Sequence, residues 1–317
     1  MQLNAITRKS ALAALMLLVA MLIATAVRFS VMPFAFEEAN SPFSERTLSI
    51  VVAMFLFLCG GFVEGKILPR SGLSKGYCTL PIPLYGVLAC GIFLSPHTLA
   101  TAAVSFCFAL AILLMLRSLH SADEKDSLFF ASLLLGVMVL LYPPSIVLVL
   151  ALPLSVFVLA LSLRQFAIML LGYALPLLAA SYVMWYGGSG FWDLSLNIFQ
   201  SLMMPRMGDI STIPYVAIVM VAIVVVVLLW GLIYALIRPD KMFMLTRIRR
   251  ALHLFVWLFV MTLAILFVPA CDISVLAIIA VPATILLSLV LGILPNNHST
   301  IAYWVLLALF VLHLFIE

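Results

Sequence analysis

The chain has 317 residues, of which 66% are hydrophobic and 9% are charged, and its formal net charge is +4. Soluble domains carry about 25% charged residues, so this composition excludes a soluble protein. The apolar runs have membrane-spanning length and lack the alternation of apolar and polar residues found in barrel strands, which excludes an outer-membrane barrel. We expect an all-α, multi-pass protein of the cytoplasmic (inner) membrane.

The hydropathy pattern predicts about eleven transmembrane helices. Several are joined by short proline turns, such as LSPHT at 94–98 and YPPS at 142–145, because proline ends one helix and can begin the next. The first run is too long for a signal-peptide core and lacks a clean cleavage motif, so we interpret it as a retained helix. The predicted ranges are 11–28, 48–65, 79–95, 98–117, 127–142, 145–162, 166–186, 213–237, 251–269, 274–293 and 300–316.

The distribution of cations agrees with this order of helices. With a cytoplasmic N-terminus, thirteen Lys and Arg residues fall in inner segments, and only Arg28, Arg46 and Arg206 fall in outer ones. This asymmetry follows the positive-inside rule and places the C-terminus on the periplasmic side. No acidic or basic residue is expected in the middle of a span, since Glu64 is assigned to a helix end.

Two longer outer loops are predicted, at 29–47 and 187–212. The first contains the adjacent acids Glu37 and Glu38. The second contains FWDLSLNIFQSLMM, which predicts a short amphipathic helix on the membrane surface; a loop helix packed on the bundle is the alternative. The apolar face consists of Phe191, Leu194, Leu196, Ile198, Phe199, Leu202 and Met203, with Trp192 suited to a membrane interface.

The order of helices and turns over about residues 10–186 resembles a known family. The positions that carry the resemblance are the SPHT turn at 95–98, Gly136, the LYPPS segment at 141–145, Arg164, Gln165, Gly172 and Pro176. Together they resemble the membrane core of the GT-C superfamily of glycosyltransferases, which use polyprenyl-phosphate-linked sugars. The chain is most similar to a group of inner-membrane proteins from Bacteroidota, of similar length, that share the LYxPS segment.

The resemblance implies a core of seven helices in residues 1–186, an outer segment at 187–212 and a variable four-helix module at 213–317. It also implies an acidic active-site residue in the loop after the first helix, where Glu37 and Glu38 stand. The superfamily's usual pair contains Asp, and the next outer turn of this chain offers His97 and no second acid.

Sugar transfer from a lipid phosphate needs a base, a cation for the departing phosphate and an apolar groove for the polyprenyl chain. Glu37 or Glu38 is the candidate catalytic base, and a pair of solvated loop acids is the alternative. The candidate phosphate-binding residues are Arg206, His97, Arg28 and Arg46, for which anchoring at headgroups or at helix ends is the alternative.

No cofactor is expected from the sequence. The five cysteines have no CxxC spacing, which argues against a metal site, and the chain lacks P-loop, HExxH and GxSxG motifs. The outer acids Asp193, Asp209 and Asp272 could hold a divalent cation with the glutamate pair, although their spacing does not require one.

The sequence therefore favours a membrane glycosyltransferase, or a degenerate relative, acting at the outer face of the cytoplasmic membrane. A non-catalytic scaffold in a membrane assembly is the alternative. A lipid or glycolipid transporter comes third, because no charged group is expected at the middle of a span and no internal repeat is found. Expected partners are the lipid-linked sugar donor, membrane lipids and other membrane proteins, but not nucleic acid.

Overall fold

The computed structural model describes residues 11–31, 43–71, 73, 79–90, 98–118, 125–203, 215–237, 245–268, 270 and 275–316. These residues form an all-α bundle, as the sequence predicts. They contain twelve α-helices: α1 (Ala11–Val31), α2 (Phe43–Arg70), α3 (Pro81–Tyr85), α4 (Thr98–Arg117), α5 (Lys125–Leu141), α6 (Ala151–Leu159), α7 (Leu163–Tyr186), α8 (Asp193–Met203), α9 (Tyr215–Ile237), α10 (Leu245–Phe267), α11 (Val275–Ile293) and α12 (Asn296–Ile316).

Six segments of the described helices are long and apolar enough to cross a membrane. They are Leu48–Arg70, Leu99–Arg117, Leu163–Tyr186, Ile248–Ile265, Leu276–Ile293 and Asn297–Phe315. A helix of 20 residues matches the thickness of a hydrocarbon core of about 30 Å. The chain is therefore a multi-pass membrane protein, and the prediction of eleven crossings stays a prediction.

The first two helices extend beyond their predicted bounds. Helix α1 continues to Val31 and α2 begins at Phe43, so the predicted loop 29–47 is shorter at both ends. The prediction ended each helix where the apolar run ended. A helix can continue through polar residues such as Glu and Arg, because these have good intrinsic helix propensity.

The predicted helix at 145–162 is divided into two parts. Residues Pro143–Leu150 form a 3₁₀ segment, and the α-helical part α6 starts only at Ala151. Pro153 explains this boundary, because it has no N–H and is tolerated in the first helical turn, where no intrahelical bond is needed. Ser162 caps the N-terminus of helix α7. Its hydroxyl accepts a hydrogen bond from the Gln165 N–H at 3.3 Å, and the Gln165 side chain accepts one from the Ser162 N–H at 2.8 Å.

Helix α11 lies at the centre of the bundle. It packs against α2, α3 and α4 from the first half of the chain and against α9 and α10 from the second. In its spanning segment 72% of the residues are buried, compared with 28% in the segments of α7 and α12. Helices α9, α10 and α11 therefore share one apolar core with the N-terminal helices; the three-part division into domains stays a prediction.

The glycines of α5 and α7 lie where these two helices cross. A Cβ on Gly136 would contact the Tyr173 carbonyl oxygen and Pro176, and a Cβ on Gly172 would contact the Ser132 hydroxyl and the Phe129 carbonyl oxygen. The absence of side chains at both positions allows the two backbones to approach closely. Three of the positions that carry the family resemblance therefore form one helix–helix contact.

Candidate functional site

The six predicted site residues lie at the edges of the described structure or outside it. Glu37, Glu38, His97 and Arg206 lie outside the described residues. The backbone of Arg28 belongs to α1 and that of Arg46 to α2. Both residues lie within four positions of the segment 32–42 in the sequence, and their roles stay predictions.

Helix α8 precedes Arg206 by three residues and has two apolar sides. Ile198 is buried and Leu194 packs against the core. On the opposite side the spacing i, i+4, i+7, i+11 aligns four apolar side chains along one stripe, and these are between 55% and 70% exposed. We call these four the outward stripe: Trp192, Leu196, Phe199 and Met203.

The local sequence fixes the start of α8 directly after α7. The Asp193 carboxylate accepts a hydrogen bond of 2.6 Å from the Gly190 N–H, and an acid in the first turn also suits the positive end of the helix. The helix packs against α7 and the 3₁₀ segment 143–150. The short amphipathic helix predicted in 187–212 is therefore present, but its apolar residues divide between the bundle and the outside.

Exposed aromatic side chains surround the corner between α7 and α8. Tyr182, Trp185 and Tyr186 at the end of α7 are each more than half exposed, as is Trp192. Aromatic residues of this type concentrate at the level of lipid headgroups. The corner therefore has the composition of a membrane–water interface.

The strongest departure from the sequence prediction is Glu64. It was assigned to a helix end, but α2 continues to Arg70, which places Glu64 about 9 Å inside the helix. Its side chain is fully buried, and Glu64 Oε2 lies 2.7 Å from the Thr284 hydroxyl oxygen of α11, within hydrogen-bond distance. The other carboxyl oxygen, Oε1, has no hydrogen-bond partner among the described residues. The assignment of Glu64 to a helix end was wrong, because the spanning segment Leu48–Arg70 continues for six residues beyond it.

A second buried polar contact joins α3, α4 and α11 beside Gly60, which lies one turn before Glu64 on α2. The Tyr85 and Ser105 hydroxyls are 2.8 Å apart, and Ser105 donates to the Ala277 carbonyl oxygen at 3.1 Å. A Cβ on Gly60 would lie only 3.0 Å from the Tyr85 hydroxyl oxygen, so glycine leaves room for it. Tyr85 is the last residue of α3, before the π-helical segment Gly86–Cys90, a type of irregularity often found at functional sites.

Helix α10 contributes a third set of buried polar groups. The buried Arg250 guanidinium donates to the Ser71 carbonyl oxygen just after α2. One turn further, Trp257 Nε1 donates to His253 Nε2 at 3.1 Å. Because the indole nitrogen is only a donor, this contact places the proton of a neutral His253 on Nδ1, which has no partner among the described residues.

Taken together, these contacts place a carboxyl, hydroxyls, a guanidinium and an imidazole inside an apolar bundle. No three His, Cys, Asp or Glu side chains of the described residues come close enough together to hold a metal ion. What the arrangement can do is bind and exchange protons and join helices by hydrogen bonds.

Sequence reasoning missed the contacts of Glu64 and Ser105 because their partners are far away in the chain. Glu64 and Thr284 are separated by 220 residues and Ser105 and Ala277 by 172. The local signal for Glu64 was the run GGFVEGKIL, in which Glu64 and Lys66 are the two charged residues among apolar ones. An ionisable residue inside a membrane helix is by itself a sign of function.

A comparison with protein families decides where the chain belongs. The model of a family of unknown function, DUF6427, matches residues 3–317. The chain belongs to this family. The DUF6427 match extends over the predicted core, the outer segment and the C-terminal module alike. No curated protein and no solved structure matches the chain.

Proposed function

We propose that the protein is a membrane glycosyltransferase, or a relative of one, that takes a sugar from a polyprenyl-phosphate donor at the outer face of the cytoplasmic membrane. Glu37 or Glu38 acts as the base that accepts the proton of the acceptor hydroxyl. Arg206 binds the departing phosphate, since a cation stabilises the charge that develops there. His97, Arg28 and Arg46 are further candidates for this phosphate.

The observation that carries the proposal is the position of α8. Its outward stripe suits the apolar part of a bilayer, whereas the opposite side, with Ile198 and Leu194, packs on the bundle. Arg206 follows the helix by three residues, so a helix lying in the interface would hold this cation at headgroup depth. A phosphate on a polyprenyl chain occupies that same depth. The resemblance over residues 10–186 supplies the class of reaction.

The catalytic residues can be tested by single substitutions in cells that lack the native copy. We expect one of the variants E37Q and E38Q to reduce glycan product by about a hundredfold, the usual effect of losing a general base. R206Q should weaken donor use, whereas R206K should retain more activity. The measurement is mass spectrometry of the surface glycans together with the amount of protein in the membrane.

The matched control for this experiment is E124Q, which changes an acid predicted to lie on the inner side. It should leave the glycans unchanged. Normal glycans from both E37Q and E38Q, at normal protein levels, would remove the catalytic proposal. A scaffold that acts through its helices would then be the better interpretation.

A second candidate, movement of a lipid or glycolipid across the membrane, is favoured by Glu64. A transporter is expected to carry an ionisable group within the bundle, and Glu64 is such a group, fully buried in the spanning segment Leu48–Arg70. Buried acids in membrane helices commonly serve as coupling sites. The expected result is that purified protein in vesicles moves a fluorescent polyprenyl-phosphate lipid between leaflets when a pH gradient is imposed.

This second candidate has its own controls. The variant E64Q should lose the dependence on the gradient, whereas T284S, which keeps the hydroxyl, should retain it. Transfer no faster than in protein-free vesicles would exclude lipid movement and leave the transferase proposal unaffected.

A further inference from the structure

We propose that Glu64 and Thr284 form a proton-binding site that joins α2 to α11, and that release of the proton loosens this contact. The site lies inside the bundle and shares no residue with the transferase proposal. It therefore stands independently of that proposal, and it would supply the coupling ion for the second candidate function.

The number of protons at the site supports an un-ionised Glu64. The Thr284 hydroxyl has one proton but two acceptors within reach, Glu64 Oε2 at 2.7 Å and the Val281 carbonyl oxygen at 2.9 Å. A helical Thr commonly gives its proton to a carbonyl three or four residues earlier. An un-ionised Glu64 carries the second proton and donates it to the Thr284 oxygen, so that each short contact contains one proton.

The surroundings of Glu64 contain no compensating charge among the described residues. The described side chains of α1 and α11 include no titratable group. Apart from Glu64, the titratable and charged side chains that the structure describes in α2 and the helices packed against it are Cys59, Lys66 and Arg70 of α2, Tyr85 of α3, and Cys107 and Arg117 of α4.

None of these groups neutralises a charged Glu64. The Lys66 ammonium lies 3.9 Å from the centre of the Phe62 ring, on a side of α2 that is partly exposed. Arg70 and Arg117 are exposed at the ends of their helices. The Tyr85 hydroxyl is engaged with Ser105 at 2.8 Å. An ionised Glu64 would thus be a buried charge without a counter-charge, the most unfavourable state for a carboxyl group.

The consequence is a contact that depends on pH. The packed bundle holds the proton on Glu64, whereas a loosened bundle lets water stabilise the carboxylate. Raising the pH therefore favours the loosened state, because the state that binds fewer protons gains stability as protons become scarce. Since α11 also packs against α3 and α4, loosening it from α2 would change those contacts as well.

The protonation state can be measured by infrared difference spectroscopy of the full-length protein in lipid vesicles. We expect a carbonyl stretching band of an un-ionised acid at neutral pH, lost in E64Q and lost in the wild type as the pH is raised. The variant D126N is the matched control, because Asp126 is exposed at the start of α5. It should leave the band unchanged.

A second variant keeps the measurement decisive if E64Q does not fold. T284V removes the hydrogen-bonding oxygen and should shift the band, whereas T284S should leave it in place. Carboxylate bands from Glu64 at neutral pH would overturn the proposal. So would a band that depends on sodium concentration rather than on pH, because the site would then bind a metal cation.

The loosening itself is tested by hydrogen–deuterium exchange. Peptides covering 60–68 and 280–288 should exchange about tenfold faster in the wild type than in E64Q at high pH and equally at low pH, as expected for exposing a buried carboxylate. Comparing both proteins at the same pH cancels the intrinsic pH dependence of exchange. Equal exchange at every pH would show that Glu64 is only a structural acid.

Discussion

At the scale of single residues, Ala160 is under conformational strain. It ends α6 with φ at 53° and ψ at 46°, and within the described part of the chain no other residue except glycine has a positive φ. A side chain in this left-handed conformation costs roughly 1 kcal/mol. The left-handed turn at Ala160 lets Ser162 cap α7 only two residues later, and the hydrogen bonds of that cap offset the cost.

We expect A160G to raise the free energy of unfolding, by up to about 1 kcal/mol, because glycine adopts the left-handed conformation without this cost. The measurement is the midpoint of unfolding in mixed detergent micelles. The control is A167G at an exposed site in α7, which should lower stability by about 1 kcal/mol because glycine is a poor helix former. A loss of stability in A160G equal to that in A167G would contradict the assigned backbone conformation.

Glu64 shows what single residues reveal in sequence alone. The stretch GGFVEGKILPR was interpreted as the polar end of a span, because Lys66, Pro69 and Arg70 follow within six residues. Whether Glu64 is buried depends on the helix that packs against it, and its partner Thr284 lies 220 residues later in the chain. No local pattern can identify such a partner. The type of residue was visible in the sequence, but its environment was not.

At the scale of elements, the α5–α7 contact depends on two glycines. We expect G136A to destabilise the protein by about 1–3 kcal/mol, because the added methyl group would contact the α7 backbone at Tyr173 and cannot be accommodated without moving a helix. The matched control is G292A in α11, where an added Cβ meets nothing within 4 Å. That change should be neutral or stabilising, since alanine is the better helix former. The measurement is again the unfolding midpoint.

Equal effects of G136A and G292A would show that helix propensity, rather than close approach, determines the cost. The same comparison is relevant to the family resemblance, because Gly136, Gly172 and Pro176 are among the positions on which that resemblance rests. In the structure these residues share one helix crossing. Their presence in a sequence is explained by packing, so they support a likeness of fold more strongly than a likeness of activity.

The elements themselves were predictable to different degrees. Helix α8 was predicted from its periodicity, since a period of 3.6 residues is a local property. The π-helical segment at Gly86–Cys90 and residues 145–150 of the 3₁₀ segment Pro143–Leu150 were predicted as ordinary helix. Hydropathy indicates that a segment is buried in lipid or protein, but it is insensitive to the hydrogen-bond register of the helix.

At the scale of the whole molecule, hydropathy predicted an all-α membrane bundle but not which helix lies at its centre. Helix α11 is the most buried span, although the sequence argument assigned it to a variable C-terminal module. Its small and β-branched residues, such as Ala277, Val281 and Ala283, are all buried. Apolar composition is similar in central and lipid-facing helices, because lipid and protein interior are equally apolar. The order of packing therefore had to come from the structure.

The orientation of the whole molecule gives the last prediction. Arg164 lies at the start of α7, and Asn197 lies in α8 beyond its end; both are exposed. Since α7 has 24 residues, the two ends are about 36 Å apart, enough to lie on opposite sides of a bilayer. In a variant with its native cysteines replaced, we expect N197C to react with a membrane-impermeant maleimide in intact cells. R164C should react only after the membrane is permeabilised, because cations are retained on the inner side.

Each other outcome of this labelling has a distinct meaning. If both cysteines react in intact cells, α7 does not cross the membrane, and the assignment of inner and outer segments fails. If only R164C reacts, the orientation is reversed. Glu37, Glu38 and Arg206 would then face the cytoplasm, so transfer from an outward-facing donor would be ruled out. The proton site at Glu64 would survive either result, because it depends on burial between α2 and α11 and not on which side of the membrane each helix begins.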